Sequence, residues 1–90
     1  MKITKKAMAG SVESGDILVT LEPSTTDKLD IVLTSTFDKQ YHKNILDVAE
    51  QQLAALNITS GKVILNDQGA LPGAIRARII TAVDRMGDAQ

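Results

Sequence analysis

One serine is the side chain of this sequence that is best placed to do chemistry. Ser14 stands in the run Glu13-Ser14-Gly15-Asp16, between two stretches whose alternating apolar residues are typical of β-strands. Gly15 and Asp16 are residues that tight turns favour, so the run predicts a hairpin with Ser14 exposed at or beside its tip. An exposed hydroxyl at such a tip could carry a covalently attached group, although serine is also an ordinary turn residue.

The sequence supplies no partner that would activate Ser14 as a nucleophile. His42 is the only histidine, and it falls in a predicted helix, where it is interpreted as a solvated side chain. The chain has no cysteine, so we expect neither a disulfide nor a thiolate metal site, and one histidine cannot form a cluster. We therefore predict no metal and no catalytic residue in this chain.

Composition narrows the class of protein further. Ninety residues, of which 43% are hydrophobic and 23% charged, predict a single globular domain over residues 1–90. A net charge of -1 and only two aromatic residues, Phe37 and Tyr41, argue against binding to nucleic acid. We see no apolar run that would serve as a signal peptide or cross a bilayer. The sequence therefore predicts a cytoplasmic protein that does not engage a membrane.

Period-2 patterns predict the strands that hold the hairpin. Residues 7–14 alternate, which places Ser11 within the first strand, and residues 17–22 alternate with Ile17, Val19 and Leu21 facing inward. Residues 29–34 form a third alternating run. Residues 62–66 read as a short strand that is buried on both faces.

Two stretches have helical period instead. The first covers residues 38–56, and Ser35 with Asp38 resembles a capping box at its start. Its predicted apolar face consists of Tyr41, Ile45, Val48, Ala49, Leu53 and Leu56. The second begins near Pro72 and ends at Gly87. Its predicted apolar face consists of Ile75, Ile79, Ala82, Val83 and Met86.

The arginines of the second helix could contact a partner, but they are interpreted as solvated side chains on its polar side. Arg78 and Arg85 lie seven apart and share one side, and Arg76 lies elsewhere on the polar surface. The element order β-β-β-α-β-α predicts an α+β domain, in which a mainly antiparallel sheet packs two helices on one face.

The sequence resembles the citrate lyase acyl carrier protein family, the γ subunit of that enzyme complex. The resemblance rests on the run around Ser14 and extends nearly from end to end. The matching stretches are Ala9-Gly10, Glu13-Ser14-Gly15-Asp16, Lys39-Gln40-Tyr41, Gly69-Ala70-Leu71 and Ala74-Ile75-Arg76-Ala77-Arg78. One departure is Pro72-Gly73, where the family often has an acidic residue after Gly-Ala-Leu.

This resemblance implies a carrier that is not itself an enzyme. In the family the serine of this run, which is Ser14 here, is joined through a phosphodiester to 2'-(5''-triphosphoribosyl)-3'-dephospho-coenzyme A, whose thiol bears the acyl unit. The implied partners are the citrate lyase α and β subunits and the transferase that attaches the group, the holo-carrier synthase. Beside the resemblance, the residues themselves predict a small acidic patch of Glu13 and Asp16 that could steer a basic partner, although carboxylates are also ordinary turn residues. Glu13, Gly15 and Asp16, which flank the serine, are expected to contribute to partner recognition.

Two alternatives stay open at this stage. The chain could be the carrier of a related complex that uses the same arm, such as malonate decarboxylase, and no residue excludes this reading. It could also be a protein-interaction module of the same α+β fold that bears no prosthetic group.

Overall fold

In the part of the chain that the structure describes, three strands precede the first helix, and a fourth strand lies between the two helices. The computed structural model describes residues 1–35 and 39–88. The elements are β1 (Ala7–Gly10), β2 (Ile17–Glu22), β3 (Leu29–Ser35), α1 (Lys39–Ala55), β4 (Gly61–Asp67) and α2 (Pro72–Asp88). Helix α2 thus extends one residue past Gly87, where the sequence predicted its end. Asp38, half of the predicted capping box, lies outside the described residues.

The sheet is mixed, so the prediction of a mainly antiparallel sheet is wrong. The strand order is β1-β2-β4-β3, and β1 with β2 and β2 with β4 are antiparallel. Strands β3 and β4 are parallel. Their connection includes helix α1, and a helical crossover brings the chain back to the end of the sheet where β3 began. The linear order of elements could not predict this pairing, because it does not say which strand lies beside which.

The two helices cover one face of the sheet. Helix α2 packs against β1 and β2, α1 packs against β3, and the helices contact each other. The inward residues predicted for β2, namely Ile17, Val19 and Leu21, are each 0% exposed. Of the predicted face of α1, the buried residues are Ile45, Ala49 and Leu53. The predicted face of α2 is buried throughout. Burial of each large aliphatic side chain contributes about 1.5 to 3 kcal/mol to folding.

The opposite face of the sheet is open, which corrects the prediction for β4. Val63 and Leu65 of β4 are fully buried, whereas Lys62 is exposed and Ile64 is half-buried. The strand therefore alternates instead of being buried on both sides. The short apolar run could not reveal this, because a parallel strand covered on both faces has the same composition.

Loops and helix ends gather at one end of the sheet. The register pairs Ile17, the first residue of β2, and Ser35, the last of β3, with Asp67 at the end of β4. The fully buried carboxylate of Asp67 accepts hydrogen bonds from the backbone N–H groups of Gly69 at 3.1 Å and Ala70 at 3.0 Å. This carboxylate thereby fixes the turn that leads into α2.

Within residues 1–35 and 39–88, neither helix has the length and apolar character needed to cross a membrane.

Candidate functional site

Ser14 lies on the loop of residues 11–16 that joins β1 to β2. Its side chain is exposed, and a hydrogen bond from the Asp16 N–H to the Glu13 carbonyl, at 3.0 Å, closes the turn around it. The prediction of an exposed serine in a hairpin turn is confirmed. Strand β1 ends at Gly10, however, so the predicted first strand was too long.

The early end of β1 has a local cause in the backbone of Gly10. Its φ is +94°, a conformation that side-chain-bearing residues rarely adopt. A Cβ at this position would lie 1.9 Å from the carbonyl oxygen of Ile17, so only glycine fits. The chain leaves the sheet here, and Ser11 belongs to the loop instead of the strand.

The space around the tip is open. In the described part of the chain the Ser14 hydroxyl makes no hydrogen bond, and a Cβ built on Gly15 would meet no atom within 4 Å. Gly15 has a φ of +86°, which glycine adopts without strain. The Ser14 hydroxyl is therefore open to solvent and is not committed to any contact among the described residues.

Asp16, in contrast, is bound inside the molecule. Its carboxylate accepts hydrogen bonds from Arg78 Nε at 3.0 Å, Arg78 Nη2 at 2.9 Å, Ser11 Oγ at 2.7 Å and the Ile17 N–H at 2.7 Å. The Arg78 hydrogen bond, followed by those from Ser11 and the Ile17 N–H, lowers the pKa of Asp16 to about 2. The side chain is only 17% exposed. Asp16 stabilises the loop and is not a free acidic group for a partner.

Glu13 is the acidic residue that the tip does expose. The predicted acidic patch of Glu13 and Asp16 is therefore reduced to one carboxylate at the surface. The assignment of Glu13, Gly15 and Asp16 to partner recognition stays a prediction, and the geometry now favours only the first two as residues that a partner can reach.

The loop is also tied to the end of β4, through a residue that sequence reasoning missed. The Gly15 N–H donates to the carbonyl of Gln68 at 2.6 Å, and the Gln68 N–H donates to the carbonyl of Asp16 at 2.9 Å. Both contacts use backbone atoms, so the presence of a glutamine at position 68 could not have predicted them. The turn residues that follow β4, ending in Gly69, were the only hint that the chain reverses beside the hairpin.

The interpretation of Arg78 as a solvated side chain is wrong, whereas Arg85 is exposed, as predicted, and also makes a hydrogen bond. Arg78 binds Asp16, and Arg85 Nη1 donates to the carbonyl oxygen of Met8 at 2.8 Å. Both arginines thus hold β1 and its loop against α2. Arg76 is exposed, as predicted.

His42 is half-buried, and its Nε2 has no hydrogen-bond partner in the described part of the chain. The interpretation of His42 as a solvated side chain is therefore wrong. It also forms no hydrogen bond with Ser14 among the described residues. In residues 1–35 and 39–88, no group of three His, Asp or Glu side chains is arranged to hold a metal ion.

Comparison with known proteins agrees with this geometry. The family model described as "Malonate decarboxylase delta subunit (MdcD)", an acyl carrier protein (ACP) family, matches residues 4–86. A relative from Albidiferax ferrireducens named citrate lyase acyl carrier protein is 46% identical over 89 residues, which is 98% of this chain and 91% of the relative. The chain belongs to the citrate lyase acyl carrier protein family. Its members are carrier subunits and not catalytic ones.

Further members of this acyl carrier family have been matched in other organisms. The citrate lyase acyl carrier protein of Pectobacterium carotovorum is 43% identical over 90 residues, covering 100% of this chain and 93% of its own. That of Clostridium perfringens is 43% identical over 88 residues, covering 98% of this chain and 87% of its own.

A solved structure also has this fold. It is the crystal structure of a Pseudomonas malonate decarboxylase hetero-tetramer in complex with malonate. One of its chains superposes with a TM-score of 0.78 at 26% identity, and the match covers 92% of this chain and 84% of that chain.

Proposed function

We propose that this chain is the acyl carrier subunit of citrate lyase and that the oxygen of Ser14 is its point of attachment. The observation that carries the choice of citrate lyase is the 46% identity to a citrate lyase acyl carrier protein over nearly the whole chain. The chain's own carrier role follows from its family.

The surroundings of Ser14 support its use as the attachment point. The hydroxyl is exposed and makes no hydrogen bond within the described residues, so a transferase can reach it without breaking a contact. The exposed tip presents this hydroxyl to solvent, as attachment of 2'-(5''-triphosphoribosyl)-3'-dephospho-coenzyme A requires. When bound, this group supplies a terminal thiol that holds acyl units as thioesters.

The protein's contribution is to hold the attachment point outside the core. The tip projects from a sheet whose inner face is packed by two helices, so a substituent on Ser14 does not disturb the fold. A tethered acyl group reaches the active sites of partner subunits at a raised effective concentration. These partners are the α and β subunits of citrate lyase, and the holo-carrier synthase loads the serine.

A second candidate function is supported by two observations. The matching family model is described as the malonate decarboxylase delta subunit, and the superposed crystal structure is of a malonate decarboxylase. The identity to that chain is 26%, compared with 43% to 46% for the citrate lyase relatives described above, which favours citrate lyase.

Reconstitution separates the two candidates. The loaded chain, acetylated on the thiol of its prosthetic group so that acetate can be exchanged for the incoming acid, would be mixed with purified citrate lyase α and β subunits, and separately with the remaining malonate decarboxylase subunits. We expect formation of oxaloacetate from citrate in the first mixture and no decarboxylation of malonate in the second. The opposite pattern would assign the chain to malonate decarboxylase, and activity in neither mixture would contradict both.

A further inference from the structure

The ion pair between Asp16 and Arg78 connects the Ser14 loop to a distant part of the chain. Two N–H groups of one guanidinium bind two oxygens of one carboxylate, at 3.0 Å and 2.9 Å. A contact of this kind fixes the orientation of both groups as well as their distance. It therefore restricts how the loop can turn relative to helix α2.

The same carboxylate organises the loop from within. Besides Arg78, it binds the Ser11 hydroxyl at the start of the loop and the N–H of Ile17 just after its end. The Ser11 oxygen in turn accepts a hydrogen bond from the N–H of Glu13 at 3.3 Å. A continuous series of contacts thus runs from Arg78 to the residue that precedes Ser14.

The crown of the loop, residues 13–15, is otherwise held among the described residues by backbone hydrogen bonds, including that from the Asp16 N–H to the Glu13 carbonyl at 3.0 Å. Glu13, Ser14 and Gly15 are exposed, and the contact of Gly15 with the rest of the domain is its backbone hydrogen bond to Gln68. A transferase must bind the loop in one conformation, and its apparent affinity falls in proportion to the fraction of time that the loop spends elsewhere. The contacts of the Asp16 carboxylate, at the base of the loop, determine how much of the time the loop spends in that conformation.

We propose that Arg78 is a positioning residue for the modification of Ser14. By binding Asp16, it holds the loop of residues 11–16 in the conformation in which the holo-carrier synthase takes up the Ser14 hydroxyl. Arg78 does not touch Ser14 and acts through Asp16. This inference rests on the proposed function, because it needs Ser14 to be the attachment point.

The test compares loading of the full-length wild-type chain with three variants. Arg78→Gln removes the cation, Arg78→Lys keeps a charge but cannot bind through two N–H groups in a fixed fork, and Arg76→Gln is the control on the same helix. Loading by purified holo-carrier synthase would be followed by intact mass as a function of carrier concentration. Amide hydrogen exchange at Glu13 and Gly15 would be measured on the unloaded chains.

We expect Arg78→Gln to raise the KM for the carrier about tenfold with little change in kcat, as for a loop that is in the competent conformation about a tenth of the time. The exchange of the Glu13 and Gly15 amides should accelerate by a similar factor of about ten. Arg78→Lys should fall between Arg78→Gln and wild type, and Arg76→Gln should match wild type.

The outcomes distinguish this inference from the function on which it rests. A wild-type chain that is not loaded, or is loaded at another residue, contradicts the proposed function. Loading at Ser14 with a wild-type KM for Arg78→Gln overturns the positioning role alone. If Arg78→Gln does not fold, Arg78→Lys decides: a raised KM and faster exchange support the role, and wild-type values overturn it.

Discussion

The base of the Ser14 loop, at Gly10 and Asp16, differs from its crown, residues 13–15, in packing, hydrogen bonding and exposure to solvent. At the base, Gly10 is in contact with the backbone of Ile17 and the Asp16 carboxylate accepts four hydrogen bonds. At the crown, Ser14 and Gly15 face open space. A fixed base and an accessible crown are what a covalent carrier needs, because the attachment point must be reachable while its position stays defined.

The largest expected effect lies at the base. Gly10→Ala should destabilise the domain by about 3 kcal/mol, because the new Cβ would meet the Ile17 carbonyl oxygen in a backbone conformation that alanine avoids. Denaturant unfolding measures this. Gly15→Ala is the matched control: it has the same type of φ but free space, so we expect a cost of about 1 kcal/mol. Equal costs at the two glycines would remove the distinction between base and crown.

A smaller effect on the free energy of unfolding is expected from the ion pair between Asp16 and Arg78. A double-mutant cycle of Asp16→Ala and Arg78→Ala should give a coupling free energy of about 1 kcal/mol, since the pair has two charge-assisted hydrogen bonds but Arg78 is 42% exposed. The cycle of Asp16→Ala with Arg76→Ala should give a coupling near zero. A coupling as small for Arg78 as for Arg76 would mean that the pair does not stabilise the loop.

Lowering the pH should remove the stabilisation that the ionised carboxylate of Asp16 provides. The pKa of Asp16 is about 2 in the folded chain against 3.8 for an unperturbed aspartate, so the unfolded state takes up the proton first as pH falls. The stabilisation is fully present above about pH 4 and is lost as pH falls from there through about 2. Unfolding free energies measured across this range should fall more steeply for wild type than for Asp16→Asn. Parallel curves would contradict the assignment of Asp16.

The smallest effect on stability is expected at the crown. Ser14→Ala should change the free energy of unfolding by no more than about 0.5 kcal/mol, because the hydroxyl is exposed and makes no hydrogen bond in the described residues. The same variant should no longer be loaded by the holo-carrier synthase. A large loss of stability, or continued loading, would show that the crown is not an independent attachment point.

Features that depend on residues close together in the sequence could be predicted, whereas features that depend on residues far apart in the sequence could not. The inward residues of β2 and the apolar faces of both helices were predicted correctly, because periodicity is a local property. The exposed position of Ser14 followed from the turn residues beside it. The parallel pairing of β3 and β4 and the open face beside β4 were not predicted, because they depend on which strands become neighbours.

The role of Asp16 shows the same limit within the site. Its partner Arg78 is 62 positions away, and in the sequence both residues look like solvated charges. Ser11 was placed in a strand and is instead bound to the Asp16 carboxylate, so replacing it would disturb the loop and it cannot serve as a control for loading at Ser14. Ser24 is a better one, since it lies on the connection that follows β2, at the opposite end of the sheet, and its hydroxyl contacts Thr26.

The most direct test of the carrier assignment is the intact mass of the protein purified from its own source, followed by identification of the modified peptide. We predict a mass above that of the bare chain by one prosthetic group and a modification on the peptide that contains Ser14. Expression of Ser14→Ala in the same source should give the unmodified mass, whereas Ser24→Ala should retain the increment. A native protein of unmodified mass, or a modification that persists in Ser14→Ala, would contradict the account.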